Sequence, residues 1–203
     1  MKRKGDIAIL ILAAGESRRM KGIKQLLPWK DSSLLEHTIR TIKKVQEKSI
    51  YVVLGAYKNE IEAQIDFRKQ GVLVIENKDW KNGLGSSIAC SVGHVLYEES
   101  GYDGVLICLA DQPLLDSIYY KTMIMEFKSG NFPIVASKYN KNVGVPAIFK
   151  STIASELMAL KEDHGAKEVL LKYQESIKVV NPDNKIEDID TYEVYSEIYK
   201  QYN

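Results

Sequence analysis

Ile7-Ala8-Ile9-Leu10-Ile11-Leu12-Ala13-Ala14-Gly15-Glu16-Ser17-Arg18-Arg19-Met20-Lys21-Gly22-Ile23-Lys24-Gln25-Leu26-Leu27-Pro28 passes without a break from an apolar run into a glycine-bearing, cationic loop. The run Ile7–Ala13 follows the basic Met1-Lys2-Arg3-Lys4 and has about the length of a signal h-region. It leads into charge rather than into a small-residue cleavage site, so it reads as a first, fully buried strand. No apolar stretch approaches the roughly 20 residues a bilayer requires.

Further β-branched runs follow at Tyr51–Leu54, Val72–Ile75, Val105–Leu109, Ile134–Ala136, Ala147–Phe149 and Ile177–Val180. Between them lie apolar residues spaced by three or four, at Leu35/Ile39/Ile42/Val45, Ile88/Val92/Val95 and Ile153/Leu157/Leu160, which predict amphipathic helices. The first of these opens with Ser33-Leu34-Leu35-Glu36, a capping-box sequence. Strands alternating with helices predict an α/β fold, three layers (α/β/α) around a mostly parallel twisted sheet. With no linker, repeat or low-complexity block, the expectation is a single domain over 1–203.

Charge nearly cancels, with 28 Lys+Arg against 27 Asp+Glu. A nucleic-acid or acidic-membrane surface usually demands a basic excess, so neither is expected as a partner. Cys90 and Cys108 lie in apolar contexts and read best as packed free thiols in a reducing cytoplasm, a catalytic thiol or a disulfide being the other readings. His37, His94 and His164 show no metal-ligand spacing.

In an open α/β sheet the ligand lies beyond the carboxyl ends of the strands, and three segments sit there. Leu12-Ala13-Ala14-Gly15 can bring backbone N–H groups close to an anion, with arginine and lysine following to meet a triphosphate. Neither a Walker A loop nor a dinucleotide fingerprint is present, and a solvated basic loop is the alternative. Asp111, in Asp111-Gln112-Pro113 after Val105–Leu109, is either a magnesium ligand or the cap of the next helix. Trp80-Lys81-Asn82-Gly83-Leu84-Gly85-Ser86-Ser87 is a glycine/serine loop at a helix entry, where Ser86 or Ser87 could serve as the cap.

The long loop resembles L-A-A-G-x-S-x-R-M-G-x-x-K-x-L-L-P of the molybdenum-cofactor nucleotidyltransferase family, within the wider GT-A-like pyrophosphorylase fold. Lys21 stands where that pattern has glycine, and Gly22 follows. The Asp111-Gln112-Pro113 triplet is similar to the metal-binding D-Q-P of the cytidylyltransferase branch. The Trp80 loop resembles W-x-x-G-x-x-S-S, and Gly144-Val145-Pro146-Ala147-Ile148-Phe149 resembles G-x-P-x-x-F. Lys161-Glu162-Asp163-His164-Gly165-Ala166-Lys167 is similar to G-D-x-G-A-R, with Glu162 for glycine and Lys167 for arginine. Glu187-Asp188-Ile189-Asp190-Thr191 resembles D-I-D-T-P-E-D, with Tyr192 for the proline.

The resemblance implies a magnesium-dependent transferase that moves CMP from CTP to the terminal phosphate of molybdopterin for molybdenum hydroxylases such as the xanthine dehydrogenase group. Leu12, Ala13, Ala14, Gly15, Gly85 and Ser86 would bind the nucleotide, and Arg19 and Lys24 would neutralise its phosphates. Asp111 and Asp190 would hold Mg²⁺, with Asp188 as the fallback for Asp190, which could also cap the last helix. Gly165 and Lys167 would receive the acceptor's phosphate. A molybdenum hydroxylase or its maturation chaperone is the implied protein partner. A transferase using GTP or a sugar or alditol phosphate, and a non-catalytic cofactor carrier, remain the other readings. Tyr192, Tyr195, Tyr199 and Tyr202 form a stripe expected to pack against the core or another subunit.

Overall fold

The computed structural model describes residues 6–98, 101–139, 142–161, 164–183 and 185–202. Its elements in chain order are β1 (Ile7–Leu12), β2 (Pro28–Trp29), β3 (Ser32–Ser33), α1 (Leu34–Lys43), β4 (Ile50–Leu54), α2 (Lys58–Gln64), β5 (Leu73–Glu76) and α3 (Leu84–Gly93). There follow β6 (Gly104–Leu109), α4 (Ser117–Lys128), β7 (Ile134–Tyr139), β8 (Asn142–Lys150), α5 (Ala154–Met158), α6 (Lys167–Lys172), β9 (Ile177–Val180) and α7 (Tyr192–Tyr202).

Seven strands form one sheet in the order β5-β4-β1-β6-β8-β7-β9. β1 lies inside the sheet, parallel to both β4 and β6, and β8 alone runs antiparallel to its neighbours β6 and β7. Every residue of β1 is buried, because alternate side chains enter opposite layers. Ile7, Ile9 and Ile11 pack with Leu35, Ile39 and Ile42 of α1 and with Tyr120 and Met123 of α4. Ala8, Leu10 and Leu12 pack with Ile88 and Val92 of α3, Leu157 of α5 and Leu170 of α6. The three-layer α/β/α arrangement follows.

Local chemistry sets the helix entries. The Ser33 hydroxyl accepts from the Glu36 N–H at 3.3 Å and Glu36 returns the bond to the Ser33 N–H at 3.2 Å, completing the capping box; such a cap is worth about 1 kcal/mol over alanine. Asp116 caps α4 through the Tyr119 N–H at 2.9 Å, so Asp111 is free of that duty. At α7 the cap is Thr191, which accepts from the Val194 N–H at 3.3 Å, and not Asp190. At α3 it is Gly83 rather than Ser86 or Ser87.

Three boundaries depart from expectation. β7 and β8 extend well beyond Ile134–Ala136 and Ala147–Phe149, because paired strands carry each other through polar residues. The Ile153/Leu157/Leu160 periodicity yields only the short α5 behind a 3-10 turn. The β2–β3 hairpin, two residues a side, escapes any periodicity argument. It matters because Trp29 and Leu34 form a third cluster with Ile189, Tyr195 and Ile198, and the Tyr195 hydroxyl donates to the Pro28 carbonyl at 2.8 Å. The tyrosine stripe of α7 thus packs inward, except for exposed Tyr202. Cys108 is buried in β6 and Cys90 half-buried in α3, both as free thiols. Among the described residues no helix is long and apolar enough to cross a membrane.

Candidate active site

Beyond the carboxyl ends of β1 and β6 lies a cleft of about 580 Å³. The Leu12–Arg19 loop lines it, with Lys24 and Gln25, Trp80, Lys81, Gly83, Leu84 and Ser87, and Asp111, Asp188 and Asp190. The loop hangs on backbone bonds, from the Ala13 N–H to the Val53 carbonyl at 2.9 Å and from the Ala56 N–H to the Ala14 carbonyl at 3.0 Å. Gln25, which sequence reasoning passed over, is buried and donates from Nε2 to the carbonyls of Ala13 (2.8 Å) and Gly15 (3.1 Å). A polar residue among Ile23, Leu26 and Leu27 was the available signal. Gly22, at φ +125°, takes the left-handed turn that Lys21 could adopt only with strain.

The charged end of the cleft is an interlocked set of ions. Lys24 Nζ lies 2.5 Å from Asp111 Oδ2, donates to the Ile189 carbonyl at 2.8 Å and stands 3.8 Å from Asp190 Oδ1. Arg19 reaches Asp190 Oδ2 at 3.5 Å. The Ile189 N–H donates to the Asp111 carbonyl at 3.0 Å, so the segment carrying Asp190 is laid directly against the end of β6. Lys21, the departure from the glycine pattern, places its ammonium 4.6 Å from the centroid of Tyr192, the departure from the proline pattern.

Asp111 Oδ1 is buried and has no hydrogen-bond partner among the described residues, a costly condition for a carboxylate oxygen unless a cation completes it. Among the described residues no group of three or more His, Cys, Asp or Glu side chains is arranged to hold a metal. Two carboxylates with room for phosphates nevertheless fit Mg²⁺, which is usually held by one or two carboxylates and completed by substrate phosphates and water.

A second cavity, about 720 Å³, adjoins the first at Leu84, Leu109 and Asp188. Its basic groups are Lys138, His164 and Lys167, and Val143, Val145, Leu170, Ile177 and Val179 supply apolar walls. Gly165 and Lys167 both line it; Glu162 and Asp163 lie outside the described residues. Gln112, buried, donates to Asp188 Oδ1 at 2.7 Å and to the Tyr139 hydroxyl at 2.5 Å, while that hydroxyl donates to the Val145 carbonyl at 2.5 Å. Burial first, then the neighbouring Asp111 and Asp190 charges, push the Asp188 carboxyl above the ordinary aspartate value. Burial likewise raises the Tyr139 phenol. The Gln112–Tyr139 link was not legible in the sequence, since the two residues belong to different strands' ends.

Leu12, Ala13, Ala14, Gly15, Arg19, Lys24, Asp111 and Asp190 therefore meet in one cleft, and Gly165 and Lys167 in its neighbour. Gly85 is buried in α3 and is not part of the cleft lining. Ser86 faces an adjoining surface recess, its hydroxyl against the carbonyls of Gly83 (2.9 Å) and Asp79 (3.0 Å). The loop's cleft-facing residues are instead Trp80, Lys81, Gly83, Leu84 and Ser87. Asn77 orders this loop by donating to both serine hydroxyls, at 2.9 and 3.0 Å.

Residues 9–177 match the MobA-like NTP transferase domain model. The chain is 29% identical over 195 residues to the purine catabolism protein PucB of Bacillus subtilis, covering 92% of each. It is 27% identical to nicotine blue oxidoreductase of Paenarthrobacter nicotinovorans, over 63% of this chain and 60% of that protein. Its fold matches Rv0371c of Mycobacterium tuberculosis with a TM-score of 0.80 at 23% identity, covering 96% of this chain and 98% of that one. The manganese complex of the same mycobacterial protein matches with a TM-score of 0.77. With the family model spanning most of its length and the cleft built from the loop and strand-end carboxylate described above, this chain belongs to the MobA-like NTP transferase family and is a nucleotidyltransferase.

Proposed function

We propose that the protein transfers CMP from CTP to the terminal phosphate of molybdopterin, in the cytoplasm, releasing pyrophosphate. The observation that carries this reading is the junction of two cavities at Asp188, one ending in Arg19, Lys24, Asp111 and Asp190, the other basic at Lys138, His164 and Lys167. A donor triphosphate suits the first. The apolar walls and cationic groups of the second suit a flat ring system carrying a phosphate.

Asp111 and Asp190 are the residues that would hold Mg²⁺, and the ion would supply Lewis-acid neutralisation of phosphate charge. Arg19 and Lys24 compensate the charge on the departing pyrophosphate, and the Ala13–Gly15 backbone orients the nucleotide. The acceptor's phosphate oxygen forms a bond to the α-phosphorus as the bridging oxygen to the β-phosphate departs. A phosphomonoester, with its second pKa at about 6, is already ionised at neutral pH, so no general base is required. PucB's designation as a purine catabolism protein accords with a product destined for a purine-oxidising molybdenum hydroxylase or its maturation chaperone.

The test is pyrophosphate release with each of the four nucleoside triphosphates and Mg²⁺, with and without metal-bearing molybdopterin. CTP with molybdopterin should give the fastest turnover. Turnover with GTP alone, or with a sugar or alditol phosphate in place of molybdopterin, would overturn the assignment while leaving the transferase chemistry in place.

A further inference from the structure

The donor cleft is lined by an ionic group, Arg19, Lys24, Asp111 and Asp190, joined by salt bridges, and by the loop residues Trp80, Lys81, Gly83, Leu84 and Ser87, none of which is a carboxylate. If the ionic group takes the triphosphate, that loop offers a place for the nucleoside end of the donor. The aromatic side chain there is Trp80, on a 3-10 turn (Trp80–Asn82) that Gly83 ends at φ +89°.

Trp80 is held from behind by the absence of an atom. Gly55, just after β4, has no Cβ, and one built there would fall 2.6 Å from Trp80 Cβ, 2.9 Å from its Cγ and 2.8 Å from the Ala14 carbonyl oxygen. Any side chain at 55 would therefore drive the tryptophan and the Ala13–Gly15 loop apart. Gly55 thus lets the root of the indole and the Ala14 carbonyl of the nucleotide loop approach the same point. Lys81, another lining residue, holds its ammonium 5.5 Å from the indole centroid, within cation–π range.

We propose that Trp80 is the platform on which the donor's nucleobase rests, and that Gly55 sets the height of that platform above the Ala14 methyl group. This rests on the donor-site reading above and adds to it a base-recognition residue. A flat apolar surface on one side and a loop of backbone groups on the other would clasp a planar ring and leave its polar edge free to be read.

The chain has two tryptophans, and Trp29 is fully buried in the cluster behind α7, so Trp80 can be read by itself. The experiment titrates the nucleoside triphosphate found by calorimetry to bind tightest, and in parallel inorganic tripolyphosphate, into wild type, Trp29→Phe, Trp80→Phe and Trp80→Ala. The nucleotide should quench the fluorescence of wild type and Trp29→Phe, tripolyphosphate should not, and Trp80→Phe should lose the quench. Should Trp29→Phe not fold, the difference between wild type and Trp80→Phe reads the same signal. Base–aromatic stacking predicts that Trp80→Ala weakens nucleotide binding by roughly 5- to 150-fold, with tripolyphosphate binding changed less than about twofold and Trp80→Phe retaining most of the affinity. Gly55→Ala should weaken the nucleotide in the same selective way. Undiminished nucleotide binding by Trp80→Ala, or an equal loss for tripolyphosphate, would overturn the platform and leave the donor site standing. Failure of wild type to bind any nucleoside triphosphate would overturn both.

Discussion

Replacing Lys24 with methionine keeps the stem and removes the ammonium that ties the ionic end together. In the structure that ammonium is the bonded partner of Asp111 Oδ2, and Asp111 Oδ1 already lacks one. The direct attraction at such a separation is about 7 kcal/mol at an effective dielectric of about 20. Desolvation offsets much of that, and stranding a fully buried partner costs about 3–5 kcal/mol. The two side chains here remain 15% and 18% exposed, so water recovers part of the loss. A net destabilisation of about 2 kcal/mol follows, which in a domain of this size lowers Tm by about 4–8 °C.

The same substitution should lower kcat by about 10²–10³ while raising KM for CTP much less, since a charge stabiliser acting on the departing phosphate contributes differential binding. Differential scanning fluorimetry with and without Mg²⁺, followed by steady-state kinetics, checks both parts. Mg²⁺ should stabilise Lys24→Met more than wild type, because Asp111 is left without its paired cation and Asp190 keeps only Arg19. A variant as stable as wild type, with unchanged kcat and only a raised KM, would refute the reasoning and make Lys24 a simple anchor.

Asp111→Ala should lose about 10²–10³ in kcat with its fold intact; activity within threefold of wild type in a pyrophosphate-release assay would remove Asp111 from the metal site. Ala14→Gly should admit measurable GTP turnover while CTP stays preferred, because one methyl discriminates by only about 1–3 kcal/mol; kcat/KM for both nucleotides decides, and no gain at all would place the base elsewhere. Asp116→Ala should cost about 1 kcal/mol near neutral pH through loss of the α4 cap. The Lys185 ammonium, which bonds Asp116 at 2.7 Å, and the Tyr119 N–H hold that carboxyl below its ordinary value. Its contribution is therefore present above the unfolded value of about 3.9 and is lost as pH falls through the folded one. Denaturant melts of the two proteins should converge below about pH 4, and a gap that persists to pH 2 would refute the assignment.

The order of strands and helices was legible because each carries its own period: β1 reads as a continuous apolar run and α1 as a stripe opened by its capping box. The cleft-lining loop was legible too, since Leu12 to Lys24 are contiguous and follow β1 directly. Local patterns do not reach across the chain, however. Asp190 and Asp188 are equivalent in sequence, and Ile189 decides between them. Its side chain is fully buried against Trp29, and its backbone bonds both Asp111 and Lys24. Anchored in this way, the segment turns Asp190 to the cations and Asp188 to Gln112 at the junction of the cavities.

Gly85 and Ser86 show the opposite failure, because a helix entry offers only some of its residues to a cleft and the turn of α3 chose Ser87. The contact of Lys21 with Tyr192 joins two positions that look unrelated in the chain, and Gly55 acquires its meaning only from the indole of Trp80 lying over it. The sequence alone thus determined the layered fold and the placing of the glycine loop and of Asp111 just beyond their strands, all set by short-range periodicity and contiguity. Which aspartate lies beside Lys24 and Arg19, which serine lines the cleft and what backs the tryptophan were decided by tertiary structure, because each depends on packing between segments far apart in the chain.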